Sequence, residues 1–246
     1  MATFVLIPGA GGTASYWHLV EPELRARGHR TIAVDLPAGD DKAGFTEYAD
    51  AVVVAIDEAG PDVAGQTGAD LVIVAQSMGG FTAPTLCRRV PVSLLVLVNA
   101  MIPADGETAG DWWENTGAPA ARREQDVRDG RSPDAEFDLR TYFFHDVPGP
   151  VADDAMATPQ QQSDTPFAHV GLNGAWPGVR TRVLSCRDDR FFPVDFQRRV
   201  AEARLGITPD VMPGGHLVAL ARPAELAARL AAYADDADDV TRSGRR

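Results

Sequence analysis

Leu71-Val-Ile-Val-Ala-Gln-Ser-Met-Gly-Gly80 is an unbroken apolar run that ends in glutamine and serine and then in two glycines. Five apolar residues in succession, three of them β-branched, read as a strand covered on both faces, as strands of parallel sheets are. The residues after the glycines read as an apolar helix. A strand that turns into a helix through a single serine is the arrangement of a nucleophile elbow. The turn is so tight that the serine adopts strained backbone, and small residues two places before and after it keep neighbouring side chains apart. Here those places hold Ala75 and Gly79. The usual pattern is G-x-S-x-G, so Ala75 is a departure, though a small one. The plainer reading is a serine that caps a helix after an ordinary strand, and the flanking sequence argues against it.

Working outward, short β-rich apolar runs recur at Phe4–Ile7, Thr31–Asp35, Ser93–Val98, Arg182–Cys186 and Thr208–Met212. Helical patterns lie between most of them. Tyr48, Ala51, Val52, Ala55 and Ile56 repeat with helical spacing behind Thr46 as N-cap, and Leu226, Leu230 and Tyr233 form a stripe behind Pro223. Strand alternating with helix predicts an α/β fold with a mostly parallel, doubly wound sheet. The alternation stops between about Pro103 and Pro177, a stretch rich in Gly, Pro, Asp and Gln. It nevertheless holds Trp112, Trp113, Phe137, Tyr142, Phe143, Phe144, Phe167 and Trp176, too many aromatics for a disordered linker. The expected organisation is therefore a core over 1–102, an inserted, largely helical cap over 103–177, a second part of the core over 178–234, and a disordered polar tail over 235–246.

Composition narrows the function. The net charge of −12 speaks against nucleic acid or an anionic membrane as partner, because phosphate binding needs clustered Lys and Arg. No apolar run approaches the ~18 residues of a membrane span, and the N-terminus has no signal-peptide pattern, so the expected compartment is the cytoplasm. Two cysteines, Cys87 and Cys186, make neither a disulfide framework nor a metal cluster. Lys42 is the only lysine, so Schiff-base chemistry would have to rest on it. Neither HExxH, CxxC nor a His pair at i, i+4 occurs, and no metal or organic cofactor is expected. A homodimer stays open.

A serine nucleophile needs an oxyanion hole, a base and an acid that orients the base. Ile7-Pro-Gly-Ala-Gly-Gly-Thr13 follows the first strand, and its glycines allow close approach to a substrate carbonyl. Ala10 in that loop and Met78 after the serine are the expected backbone N–H donors. The spacing does not make the G-x-G-x-x-G of a dinucleotide site. Among the five histidines, His216 closes Met-Pro-Gly-Gly-His after the last predicted strand and faces the same sheet rim as Ser77. His18, His29, His145 and His169 read as surface or pocket-lining residues. The loop Cys186-Arg-Asp-Asp-Arg-Phe-Phe-Pro193 offers Asp188 and Asp189 as the acid, and Asp105 is a third candidate. With either member of the pair the chain order is Ser, Asp, His, the order of the α/β-hydrolase fold.

Phe4-Val-Leu-Ile-Pro-Gly-Ala10, Trp17-His-Leu-Val-Glu-Pro-Glu-Leu-Arg-Ala-Arg-Gly-His29 and Ala33-Val-Asp-Leu-Pro37 resemble the opening of the plant methylesterase and hydroxynitrile lyase group and its bacterial esterase relatives. Gln76–Gly80, Cys186–Pro193 and Gly214–His216 continue the match, which covers roughly residues 3–101 and 179–233. The resemblance implies an α/β-hydrolase that cleaves a carboxylic ester or related acyl bond through an acyl-enzyme on Ser77, while the aromatics of 103–177, expected to roof the site, predict a small apolar substrate. By the register of Cys186 and Pro193 it places the acid at Asp189. Pro8, Ala75 and Gln76 depart from the group's usual residues without removing a catalytic atom. The competing readings are a lyase acting on cyanohydrins, an enzyme cleaving C–C, lactone or thioester bonds, and a ligand-binding module with an idle triad. The resemblance implies that the lyases carry a lysine directly after the catalytic histidine, where this chain has Leu217.

Overall fold

The computed structural model describes residues 1–60, 71–158 and 160–243, the last six of them by backbone alone. Six strands, β1 (Thr3–Ile7), β2 (Arg30–Ala33), β3 (Leu71–Gln76), β4 (Leu94–Val98), β5 (Thr181–Cys186) and β6 (Asp210–Met212), form one sheet in the order β2-β1-β3-β4-β5-β6. Every pairing is parallel, with Ile7 opposite Ala75 and Gln76 opposite Val98. Each predicted strand is present, shifted by at most a few residues at its ends.

Among the described residues the α-helices are α1 (Val20–Ala26), α2 (Phe45–Glu58), α3 (Gly79–Leu86), α4 (Asp111–Thr116), α5 (Ala118–Arg128), α6 (Leu139–Tyr142), α7 (Gly149–Ala157), α8 (Val194–Leu205), α9 (Val218–Ala221) and α10 (Pro223–Ser243). Alternate residues of the strands feed two cores. Val5, Ile7, Ile73, Leu95 and Leu97 pack with Tyr48 and Val52 of α2, Phe81 of α3 and Phe196 of α8. Phe4, Leu6, Val72, Val74 and Val96 pack on the opposite face with Leu24 of α1 and Leu226, Leu230 and Tyr233 of α10. Burial of each such Leu, Val or Phe contributes about 1.5–3 kcal/mol. Two cores back to back explain why the strands read as continuous apolar runs rather than alternating ones.

One local expectation is corrected. The N-cap of α2 is Gly44, not Thr46, which lies exposed in the first turn. A β-carbon at position 44 would collide with the His169 ring, and the Gly44 N–H is instead satisfied by the Glu47 carboxylate at 2.8 Å. Where the sequence suggested a disordered tail from residue 235, α10 is continuous to Ser243. Ala234 and Ala237 prolong its buried stripe, and alanine is the strongest helix former, so the charged residues between them simply take the outer face. Residues 244–246 lie outside the described residues.

The segment 103–177 leaves the sheet after β4 and returns before β5, and it contains α4 to α7. It is tied to loops at the carboxyl ends of the strands. Ser163 N–H donates to Ala38 O at 2.7 Å, Arg190 reaches Thr141 O at 3.2 Å, and Gly215 N–H donates to Asp146 at 2.7 Å. No helix among the described residues is long and apolar enough to cross a membrane.

Candidate active site

Ser77 stands where β3 gives way to α3, in left-handed backbone with φ 50°. A side chain in that region costs roughly 1–2 kcal/mol, and the surroundings hold it there. Its N–H donates to Val98 O at 3.2 Å, and its carbonyl accepts from Gly80 N–H at 3.1 Å and Met101 N–H at 2.9 Å. Glycine is needed on both sides of the turn. A β-carbon on Gly9 would lie 2.8 Å from Ser77 Cβ, and one on Gly79 would lie 2.7 Å from Pro8 O.

His216, on the loop after β6, approaches Ser77 from across the sheet. Its Nε2 is 3.0 Å from Ser77 Oγ and its Nδ1 is 2.8 Å from Asp189 Oδ2. A carboxylate can only accept, so Nδ1 carries the hydrogen and Nε2 presents a lone pair to the serine hydroxyl. Asp189 is buried, and both of its oxygens are fully engaged. Oδ1 accepts from Phe191 and Phe192 N–H, each at 2.9 Å, while Oδ2 accepts from Gln197 Nε2 at 3.2 Å as well as from the imidazole. The rings of Phe143, Phe191 and Phe192 enclose His216 with centroids 5.0 to 5.1 Å away.

Asp188 faces elsewhere. Its carboxylate pairs with Arg187 at 3.1 Å and accepts Gly214 N–H at 3.0 Å. Partial burial opposes its ionisation, but the Arg187 and Gly214 hydrogen bonds outweigh that and hold the carboxyl below its ordinary range. Asp105 accepts Gly174 N–H at an exposed site and makes no bond to His216. Of the other histidines, His18 bonds Ser15 O, His29 bonds Ala2 N–H, and His169 lies against Gly44. His145 is pushed below the ordinary histidine range by burial first and by the Arg190 charge second.

The oxyanion candidates can be read from the loop's own bonds. Gly11 N–H is occupied by Gln162 Oε1 at 3.0 Å, and Gly12 N–H closes a turn onto Gly9 O at 3.1 Å. Ala10 N–H and Met78 N–H meet no acceptor among the described residues.

Three residues that the sequence did not single out, and Gln76, which it noted only as a departure from the group, shape this site. Asp146 holds the Gly215 amide, Gln197 holds Asp189, Gln162 links Gly11 N–H to Tyr48 Oη (3.1 Å), and Gln76 Nε2 donates to His216 O (3.3 Å). A faint signal existed for Gln197, a polar residue on the buried stripe of α8 beside Phe196 and Val200. Among the described residues no three His, Cys, Asp or Glu side chains are grouped so as to hold a metal ion.

The model of the alpha/beta hydrolase family matches residues 4–229. The probable esterase PIR7A of Oryza sativa subsp. indica is 34% identical over 116 residues, which is 44% of this chain and 42% of that protein, so the match spans less than half of the relative. A pyrethroid hydrolase from Sphingobium faniae superposes with a TM-score of 0.71 at 21% identity, covering 95% of this chain and 97% of its own. Polyneuridine aldehyde esterase superposes with a TM-score of 0.72 at 20% identity, over 95% and 99% of the two chains.

Proposed function

Because this chain belongs to the alpha/beta hydrolase family, we propose that it hydrolyses carboxylic esters of small apolar molecules, with Ser77 as nucleophile, His216 as general base and Asp189 as the acid that orients the base. The observation that carries the proposal is the continuous hydrogen-bonded chain from Ser77 Oγ through His216 to Asp189 at the carboxyl ends of the central strands. His216 Nε2 takes the hydroxyl proton as Oγ attacks the ester carbonyl, and the imidazolium is stabilised by Asp189. Negative charge developing on the carbonyl oxygen is received by the Ala10 and Met78 amides. The imidazolium then protonates the departing alcohol, which leaves an acyl group on Ser77. Water, activated by the same histidine, releases the acid. Fixed donors aimed at charge that appears only in the transition state lower the barrier without tightening ground-state binding.

Ester hydrolysis is favoured over cyanohydrin cleavage by Leu217. It is partly buried against the core around Leu226 and Leu230, so the position after His216 offers a leaving cyanide no cation. The names of the rice esterase and the pyrethroid hydrolase point to the same class. A cytoplasmic site of action belongs to this proposal, in keeping with the two free thiols of Cys87 and Cys186. Since nucleophile, base, acid and oxyanion donors are all supplied by the chain, turnover is expected to be unchanged by EDTA. Activity lost to the chelator and restored by a divalent ion would contradict that.

Preference for apolar acyl or aryl groups is supported by the aromatic rings beside the base. Phe143, from the segment 103–177, lies 4.6 Å from Phe191 between ring centroids, and both flank His216. The other aromatics of the segment differ in role. Trp112 is wholly buried with its Nε1–H on Ile102 O, and Phe144 packs toward the core on the opposite face of the sheet. Phe143→Ala and Phe191→Ala are therefore expected to change the ratio of kcat/KM between an acetyl ester and a bulky aryl ester by more than threefold. Each ring withdrawn removes apolar contact worth ~25 cal/mol per Å². The measurement is kcat/KM for both esters alongside labelling of Ser77 by a fluorophosphonate. Folded, labelled variants with an unchanged ratio would remove these rings from substrate selection.

A further inference from the structure

Only two non-glycine residues among those described have positive φ, Ser77 at 50° and Asn99 at 44°. The strain at Ser77 belongs to the elbow, whereas Asn99 is used by no step of the proposed chemistry. It follows β4 by one residue, its side chain is fully buried, and its N–H donates to Leu184 O at 3.0 Å. Its carboxamide makes three further hydrogen bonds, all to backbone of the base loop and of the last residue of β5, where the acid loop begins. Oδ1 accepts Cys186 N–H at 2.8 Å, three residues before Asp189. Nδ2 donates to Gly215 O and to His216 O, each at 3.2 Å. The preceding carbonyl, Val98 O, accepts Ser77 N–H. The chain segments that hold nucleophile, acid and base thus meet at one residue.

The site demands an acceptor on one side and a donor on the other, which a carboxamide supplies and neither a carboxylate nor an apolar group can. Asparagine also enters left-handed backbone more readily than other residues with a β-carbon. We infer that Asn99 is a positioning residue for catalysis. Resting on the reading of Ser77, His216 and Asp189 as the triad, it sets the spacing between the acid loop and the base loop so that the imidazole spans from Asp189 Oδ2 to Ser77 Oγ. Gln76 also donates to His216 O but reaches no part of the acid loop, and the Asp188–Gly214 bonds join the two loops to each other without tying them to the sheet, so the tie from both loops to the end of β4 beside Ser77 falls to Asn99.

Two substitutions separate backbone from side chain. Asn99→Gly keeps the left-handed conformation and deletes the amide, while Asn99→Asp keeps the acceptor and the shape and deletes the donor. The readouts are kcat and KM on an ester, and the proton NMR signal of the His216 Nδ1–H, which its bond to a buried carboxylate moves far downfield. Both variants are expected to keep KM within about twofold and to lose about 10–100-fold in kcat, the cost of misplacing a reacting group by a fraction of an ångström to one ångström. The downfield signal should weaken or move upfield in step. Folded variants with wild-type kcat and an unaltered signal, whatever their melting temperature, would overturn the inference. If Asn99→Gly does not fold, the nearly isosteric Asn99→Asp carries the test. Absence of ester turnover in the wild type would count against the triad reading instead, and the NMR signal, which needs no substrate, would still decide the role of Asn99.

Discussion

Ser77→Ala is expected to lower ester turnover by on the order of 10⁴–10⁶-fold, the scale on which a triad fails when its serine is removed. The large effect follows from the geometry. Ser77 Oγ is the only oxygen the described residues bring to His216 Nε2, at 3.0 Å, so no neighbouring hydroxyl can take over the attack. Stability should change little, because Oγ makes that single hydrogen bond and alanine keeps the β-carbon that the elbow already accommodates at φ 50°. Substrate binding should survive, since the aromatic rings and the Ala10 and Met78 amides are untouched. The experiment compares kcat for wild type and variant at matched thermal midpoints, with fluorophosphonate labelling as an independent count of reactive serines. A folded variant that retained more than a tenth of the activity would move the chemistry to another residue.

Asp189→Asn should cost on the order of 10²–10⁴ in kcat, whereas Asp188→Asn should stay within about tenfold of wild type. The reason lies in which hydrogens face position 189. Oδ1 receives two backbone N–H groups, from Phe191 and Phe192, and these can be met only by oxygen. An asparagine there must therefore turn its NH₂ toward His216 and Gln197. Facing a donor, the imidazole is driven to accept at Nδ1 and to carry its hydrogen on Nε2, where it can no longer take the proton of Ser77. At position 188 an asparagine keeps an oxygen for Gly214 N–H and loses only an exposed pairing with Arg187, and such surface pairs are worth about 0–1 kcal/mol. Greater sensitivity at Asp188 than at Asp189 would mean that the other carboxylate orients the base.

Much of this was legible in the residues alone because the signals were local. The apolar run Leu71–Ala75 had to be a strand covered on both faces, and a serine followed by two glycines at its end had to turn sharply. The chain order of serine, aspartate and histidine depended on nothing beyond the sequence. Where two readings differed by one place, local information ran out. Neighbouring residues on a turn point in different directions, so Asp188 and Asp189 were equivalent by composition and spacing, and only resemblance to relatives favoured one. The fold separates them by burying Asp189 among Phe191, Phe192 and Gln197 and leaving Asp188 with Arg187. Thr46 looked the better helix cap until His169 came to lie where only Gly44 fits.

The residues invisible to sequence reading share one property. The Asn99 side chain contacts positions 87 to 117 residues away, Asp146 one 69 away, and Gln162 one 151 away. Asparagine, aspartate and glutamine are ordinary surface residues, and nothing in their neighbours marks them as buried partners. The sequence by itself determined the strand–helix alternation, the elbow, and the serine and histidine proposed as nucleophile and base, since each depends on the conformational limits of a few adjacent residues. Which aspartate meets His216, the ring enclosure of that histidine and the amide that ties both loops to β4 were decided only by tertiary structure, because hydrogen-bond satisfaction inside a core is settled by which distant segments it packs together.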